Sequence, residues 1–566
     1  MKGPPPVPPG RSPGGGGSGS GPPGEGVPTR GDILRLGALS GLLLALSFPP
    51  VPLPLLAFGA LAPLALVLQR LPTGAAGAPG ALLAGAACGT VAWGLLLHWI
   101  PGALFPVAPW SALPVFLAVV VGLALLTGGV ARLALLLRSR GVPLVAGLPL
   151  LWVLGEWLRS AFPGMELAWL PLGNALVQVP GLAAPAEWVG VLGLSGWAAL
   201  TGSVVGLHLA RSGSAGGREP PRRGMLLALL LVLLLPGAVG WIRNATLTTL
   251  PLLRVAALQV DSPGSPGRPP SPGEMLEVLA PHLAAPPGAG EGVELLLLPE
   301  GTLPSNRPVM AGDLPRVPGD PDVSGGMDAL LGELAAGAAR AGIPMVVGGY
   351  AVGEGGEGPW NAALALGFDQ GIQVVHRKRH LVPGIEGGSR LLYRWLAALE
   401  GEGRGVPPVR GGEPGRVVVS GRGLGFLVCY ESAFPGAVQM PVSREVEAFL
   451  ALTHEGWFGG AGATGAIPRA QHVAHLQMRA IESRSGIVRS ASDGEALIVD
   501  PRGRVVARGG AGGEGWVVGR VDGVAGESLH ARTPALLGPG LLFVLLAVLI
   551  LFRRGGSPGR RPGVGS

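Results

Sequence analysis

The feature that most restricts this chain is a succession of long apolar segments in its first 245 residues. A helix needs about 20 apolar residues to cross a hydrocarbon core of about 30 Å, where no water can satisfy an exposed backbone group. Seven segments read as such spans: Ile33 to Phe48, Leu53 to Gln69, Ala81 to His98, Leu113 to Leu137, Pro143 to Leu158, Val189 to Ala210 and Met225 to Ile242. An eighth runs from Pro534 to Phe552. The composition agrees, because 48% hydrophobic and 14% charged residues is too apolar a balance for a soluble chain of 566 residues.

Charges at the segment ends orient them. Arg30 and Arg35 flank the start of the first, Arg70 follows the second, Arg138 and Arg140 the fourth, and Arg211, Arg218, Arg222 and Arg223 the sixth. Arg553, Arg554, Arg560 and Arg561 follow the eighth, whereas the loops after the first and third carry no Lys or Arg. The positive-inside rule then places both ends in the cytoplasm and the stretch from Arg243 to about Thr533 across the membrane. The net charge of +7 arises mostly from these arginines, so it reports topology. A nucleic-acid partner, which needs basic residues gathered on one folded face, is not expected. Residues 1–30, rich in Gly and Pro, read as a disordered tail without a cleavable signal, 31–245 as a seven-helix membrane domain, 533–553 as the closing helix and 554–566 as a basic cytoplasmic tail.

Residues 250–525 have a different texture. Short Val-, Ile- and Leu-rich runs such as "GVELLLLP", "IPMVVGGY", "IQVVHRK", "GLGFLVC" and "AFLALT" are bounded by Gly, Pro and charge, as buried strands are. Between some of them lie stretches with helical spacing, "MDALLGELAAGAARAG" and "PRAQHVAHLQMRAIESR". Alternating strands and helices predict an α/β domain with its sheets covered by helices.

Polar residues stand where the strands stop: Glu300 after "ELLLLP", Lys378 after "IQVVHR", Cys429 after "GFLV", and Thr453 to Trp457 after "AFLAL". Ligands bind outside the carboxyl ends of strands in such sheets, so these ends can share one pocket. A thiol attacks well when a nearby cation favours the thiolate or a base removes the proton. Lys378 suits the cation and oxyanion donor, and Glu300 the base. Only one other cysteine exists, Cys88 in "LLAGAACGTVAW", among small and apolar neighbours, so no disulfide framework is expected. Each residue alone has a plain alternative: a solvated loop acid, a basic turn, a small core side chain.

In this order, "LLLLPEGTLP", "HRKRHLVPGIE" and "GFLVCYESAFP" between apolar segments resemble the carbon-nitrogen hydrolase (nitrilase) superfamily, and within it the bacterial apolipoprotein N-acyltransferase family. The resemblance runs from Ile33 to Phe552. It implies an α-β-β-α sandwich joined to a polytopic helical membrane domain, with Glu300, Lys378 and Cys429 as the catalytic triad. Glu386 matches a second essential acid, and Tyr430, Glu431 and Trp457 match supporting positions. No cofactor or metal is implied. The implied reaction takes an acyl group from a membrane phospholipid onto Cys429 as a thioester. It then passes to the α-amine of a diacylglyceryl-modified cysteine at the N-terminus of an apolipoprotein. A monomer in the bacterial inner membrane is expected, with the catalytic domain on the periplasmic side.

Thr453-His454-Glu455-Gly456-Trp457 departs from the family's Ser-Asn-Asp-Ala-Trp, lengthening the acid and replacing an amide by an imidazole. Arg479, Glu482 and Arg489 keep the family's pattern downstream. His472 and His475 share a helix face but have no third ligand at metal spacing, so packing around the pocket is the expected role. Glu156 is expected to pair with Arg159 at the membrane interface, and Trp93, Trp99, Trp152 and Trp157 to anchor there. The Gly/Pro-rich stretches Gly301 to Asp322, Gly401 to Gly415 and Gly459 to Pro468 are candidate mobile lids, with surface connection of low stability as the alternative reading. The rival readings are a membrane-tethered amidase or nitrilase with water as acceptor, a silent lipoprotein-binding protein, and a transporter. The last lacks recurrent broken-helix or intramembrane charge patterns.

Overall fold

The computed structural model describes residues 27–106, 108–212, 223–264, 268–304, 309–310, 326–353, 357–368, 371–387, 408–442, 445–459, 463–510 and 513–533, with isolated positions 3, 540, 544 and 547. The N-terminal tail, nearly all of the closing segment from Pro534 to Phe552, most of the first candidate lid and residues 401–407 and 460–462 of the other two lie outside the described residues, and the third runs on into the helix that begins at Ala463.

The apolar half is helical: α1 (Arg30–Leu46), α2 (Ala62–Arg70), α3 (Ala78–Leu96), α4 (Ile100–Leu104), α5 (Ala112–Ser139), α6 (Leu144–Ala161), α7 (Pro180–Ala183), α8 (Ala186–Ser212) and α9 (Arg223–Thr246). Thr29 starts α1 through a capping box with Asp32, worth about 1 kcal/mol. Among the described residues α3, α5, α6 and α8 are long and apolar enough to cross a membrane. The second predicted span is not one helix. Pro54 opens a short 3-10 turn (Pro54–Phe58), and α2 follows with only nine residues. Apolar character alone had merged the two.

Small residues decide how these helices meet. A Cβ on Gly37 would lie 2.4 Å from the Ala84 carbonyl and one on Gly41 2.3 Å from that of Cys88, so α1 and α3 touch backbone to backbone. Gly85 and Gly89 give α5 the same approach on the other side of α3. Cys88 is fully buried at this crossing, a packing residue as its neighbours indicated.

The second half is built on strands β1 (Leu250–Val260), β2 (Leu295–Leu297), β3 (Val309–Met310), β4 (Met345–Val352), β5 (Trp360–Phe368), β6 (Gly371–Arg377), β7 (Arg416–Val419), β8 (Arg422–Val428), β9 (Ala448–His454), β10 (Gly486–Ser492), β11 (Leu497–Val499), β12 (Val505–Arg508) and β13 (Gly515–Gly523). Helices α10 (Pro272–Ala284), α11 (Gly326–Ala341), α12 (Gly436–Val442), α13 (Ala463–Ser483) and α14 (Leu529–Arg532) accompany them. The main path runs β6-β5-β4-β2-β1-β10-β9-β8-β7. Alternate residues along β1 separate two cores: Ala256, Leu258 and Val260 pack with Met275, Leu279, Leu330 and Leu334 of α10 and α11, whereas Val255 and Ala257 face Leu450, Leu452 and Phe426 of β9 and β8. Phe449 and Ala451 of β9 turn outward to Ala474 and Ile481 of α13. This is the α-β-β-α layering, made by one continuous sheet folded upon itself. His376 of β6 accepts the Gly415 N–H (3.1 Å) just ahead of β7, which draws the two ends of the path together.

Candidate active site

Strand direction brings the predicted residues to one edge. β8, β9, β10, β1, β2 and β4 are successive parallel neighbours, and β6 runs with them after two antiparallel steps through β5. Their carboxyl ends therefore open together, with Glu300 beyond β2, Lys378 beyond β6, Cys429 beyond β8 and His454 closing β9.

Two carboxylates and one ammonium meet there. Lys378 Nζ donates to Glu300 Oε1 at 3.1 Å and to Glu386 Oε1 at 2.8 Å. Asn361 Nδ2 donates to the same two oxygens, at 2.7 and 2.8 Å. The remaining oxygens are held by main chain: Glu300 Oε2 by the His454 N–H (3.0 Å) and Glu386 Oε2 by the Val382 N–H (2.9 Å). Burial opposes ionisation of Glu300, but the attraction of Lys378 and the Asn361 bond outweigh it and hold its pKa below the ordinary value. Burial likewise opposes the charge on Lys378, and the two acids win, holding it protonated well above the usual lysine range. Gly348 of β4 passes so close that a Cβ would sit 2.5 Å from Glu300 Cα, and this backbone fixes the height of the acid.

Cys429 leaves β8 with φ +49°, a left-handed conformation rare outside glycine, which turns the chain sharply at the strand end. The turn is braced. Glu431 accepts the Val428 N–H (2.8 Å), the Arg379 N–H (2.7 Å) and His376 Nε2 (3.0 Å). Burial alone would raise Glu431, yet His376 and the two N–H groups bring it down to about 2. The Cys429 carbonyl accepts from Ser432 Oγ (3.0 Å) and from His472 Nε2 (3.1 Å), while His472 Nδ1 lies 2.9 Å from Glu455 Oε1. Glu455 also reaches Arg489 at 2.5 Å, so the longer acid is used fully in a buried cluster behind the nucleophile position. The Cys429 thiol itself is pushed well up, first by burial and then by Glu300, with Lys378 pulling the other way. One lysine beside two carboxylates leaves the pocket net anionic, and a resting thiolate would add a further negative charge.

The wall toward the helical half is aromatic. Tyr430 donates to the Glu166 carbonyl (2.9 Å) and stacks near Trp169, and Phe458 meets both Trp99 and Trp169. Gln471 Oε1 takes the indole N–H of Trp169 at 2.9 Å and of Trp99 at 3.3 Å. Trp99 thus joins the helical and α/β halves, beyond the anchoring role expected of it. Trp457 lies half-buried on the short turn Gly456–Phe458. Glu156 and Arg159 are both buried: Glu156 accepts from Trp152 Nε1 and the Leu172 N–H, and Arg159 donates to the Leu167 and Trp169 carbonyls beneath Trp93. The expected surface ion pair is therefore replaced by loop anchoring. His475 accepts the Leu170 N–H at 3.3 Å, as a packing histidine can. Among the described residues no group of three His, Cys, Asp or Glu side chains could hold a metal ion.

Sequence reading missed Asn361, the amide that joins Glu300 to Glu386, and His376, which carries Glu431. The available signal was weak: each is a polar residue inside an apolar strand run, "WNAALALGF" and "IQVVHR".

Residues 40–204 match a model of the apolipoprotein N-acyltransferase N-terminal domain, and residues 254–528 match a model of carbon-nitrogen hydrolase. An apolipoprotein N-acyltransferase of Geobacter metallireducens is 29% identical over 90% of this chain and 92% of its own length. One from Chromobacterium violaceum is 28% identical over 93% and 95%. Among solved structures, an amidase from Nesterenkonia sp. AN1 aligns with 51% of this chain and 97% of its own at 20% identity, with a TM-score of 0.34. The two domain matches stand in sequence on one chain, and the relatives align across nearly all of it: the chain belongs to the apolipoprotein N-acyltransferase family.

Proposed function

We propose that the chain acylates the N-terminal amine of lipoproteins through a Cys429 thioester, with a membrane phospholipid as the donor. The observation that carries the residue assignment is the Glu300–Lys378–Glu386 cluster at the strand ends beside Cys429, in a chain whose relatives are N-acyltransferases. Because burial and the neighbouring acids favour the thiol, Glu300 takes its proton as sulfur attacks the ester carbonyl. Lys378 has three N–H donors and spends two on Glu300 and Glu386, so the third meets the developing oxyanion. The carbon–oxygen bond then breaks, and the proton on Glu300 leaves with the lysophospholipid. In the second half the lipoprotein α-amine attacks the thioester carbon and gives its proton to Glu300, and as the carbon–sulfur bond breaks that proton passes to sulfur, returning the Cys429 thiol and the Glu300 carboxylate. Both substrates are lipid-anchored, which gives the fusion of this site to apolar helices a physical purpose.

The test is incubation with phospholipid alone, followed by mass spectrometry. A fatty-acyl mass on the Cys429 peptide, released by neutral hydroxylamine, is expected. Cys429→Ala loses the adduct and transfer, whereas Cys88→Ala, at a helix crossing, keeps both. Cys429→Ser is close to inactive, because a hydroxyl is much harder to deprotonate. An adduct persisting in Cys429→Ala would assign the wrong nucleophile. Free fatty acid in place of N-acylated peptide, with acceptor present, would favour the amidase-like hydrolase.

A further inference from the structure

His454 closes β9, and its two ends do different things. Its main-chain N–H donates to Glu300 Oε2 at 3.0 Å. Its ring lies outside that bond, with Nε2 3.2 Å from Asp493 Oδ2. Asp493 is not a swinging surface acid. It sits at φ +56° just past β10, its N–H donates to the Val260 carbonyl (2.9 Å), its Oδ1 accepts the Ser262 N–H (3.1 Å), and its carbonyl accepts from Arg469 (3.0 Å). The pair also has space reserved for it, since a Cβ on Gly456 would come within 2.7 Å of Asp493 Oδ2 and 3.1 Å of the His454 ring. In register, His454 lies opposite Ser492, whose hydroxyl reaches the Glu300 carbonyl at 3.4 Å.

We propose that His454 is a positioning residue for Glu300: the pairing of its ring with Asp493 fixes the rotation of its own peptide, which keeps that N–H on Glu300 Oε2. The proposal rests on the reading of Glu300 as the group that moves the proton. A carboxylate that takes up and gives back a proton in each half-reaction has to hold one orientation through both, and three donors from three elements do this: Asn361, Lys378 and the His454 peptide. The charged groups around the His454–Asp493 pair are Glu300 beyond β2, Asp261 beyond β1 and Arg469 on α13, the last two beside Asp493, with Glu455 next in the chain past β9 and bound to Arg489.

The experiment uses full-length protein in lipid nanodiscs and follows Cys429 acylation from phospholipid between about pH 5 and pH 9. His454→Asn, His454→Gln, Asp493→Asn and the His454→Asn/Asp493→Asn pair are compared with the parent. Each single change is expected to slow acylation about three- to tenfold, with KM for the lipid within about twofold. A displaced His454 N–H takes a donor from ionised Glu300 and raises it, so the acid limb of the rate profile moves to higher pH in both His454 variants. Members of one unit are not additive, so the double variant is no slower than the slower single one. Thermal unfolding separates folded from collapsed variants. An unmoved acid limb in either folded His454 variant, or losses that simply multiply in the double variant, overturns the proposal. Absence of any adduct in the parent protein would instead overturn the thioester reading itself.

Discussion

Glu431 shows what a single buried charge does for this site. It holds the strand end before Cys429, the Arg379 backbone and His376 at once, so its ionised form is matched to the fold. Its pKa is depressed from 4.5 to about 2, and stability tied to a depressed acid is fully present above the unfolded value and lost as pH falls through the folded one. The shift corresponds to roughly 3 kcal/mol. Glu431→Gln is therefore expected to unfold at lower temperature than the parent near neutral pH, and the gap is expected to shrink between about pH 4.5 and pH 2. A gap independent of pH in thermal unfolding would place its role in shape and not in charge. Glu300→Gln is expected to impair both acyl-enzyme formation and transfer, read by single-turnover acylation and by thioester discharge, because one carboxylate serves both proton steps. Glu300, Lys378 and Cys429 were legible because each ends an apolar run at a strand terminus. Asn361 and His376 were not, since a lone amide or imidazole within a strand carries no spacing that reveals its partners.

At the scale of elements, the apolar runs announced where helices stand but not where they break. The breaks follow backbone chemistry: Pro54 opens the 3-10 turn ahead of α2, and α8 contains Gly190 at φ +64° and ψ 177°, outside helical space. That kink is occupied. The Val191 N–H, released from the helix ladder, donates to Glu482 Oε1 of α13 at 2.7 Å, and a Cβ on Gly190 would meet the His530 ring at 2.5 Å. Gly190→Ala thus strains the backbone and displaces His530 together, a destabilisation expected at about 1–3 kcal/mol in thermal or denaturant unfolding. An unchanged midpoint would mean that the kink relaxes freely. The sheet was legible in a similar half-measure. Short apolar runs announced strands, yet only the β1–β10 pairing shows that both layers belong to one sheet, and long-range pairing of this kind leaves no local trace.

For the whole molecule, the two halves are joined by buried charge as well as by aromatic contact. Glu187 at the start of α8 takes Arg484 at 2.6 Å and Arg243 at 2.7 Å, tying the α/β half to the outer end of α9. Two guanidinium groups on one buried carboxylate make the junction an ion-paired one. The α/β half therefore sits at the end of α9 carrying Arg243 and Asn244, whose carbonyl accepts from Arg502 at 3.1 Å. This fixes which end of the helical half bears the strand-end pocket, but the direction of the whole assembly across the bilayer comes from elsewhere. Arg70, Arg138 and Arg211 stand in the last turns of α2, α5 and α8, at the other helix ends, where Arg138 donates to the Leu68 and Leu71 carbonyls. If the positive-inside rule holds that end in the cytoplasm, the pocket lies outside, on the side where the proposed lipoprotein amine would be presented. A reporter active only outside the cytoplasm is expected to work when fused after Ile242 and to fail when fused after Arg554. The reverse pattern would turn the molecule over, leave the pocket facing the cytoplasm and remove the proposed lipoprotein acceptor from its reach.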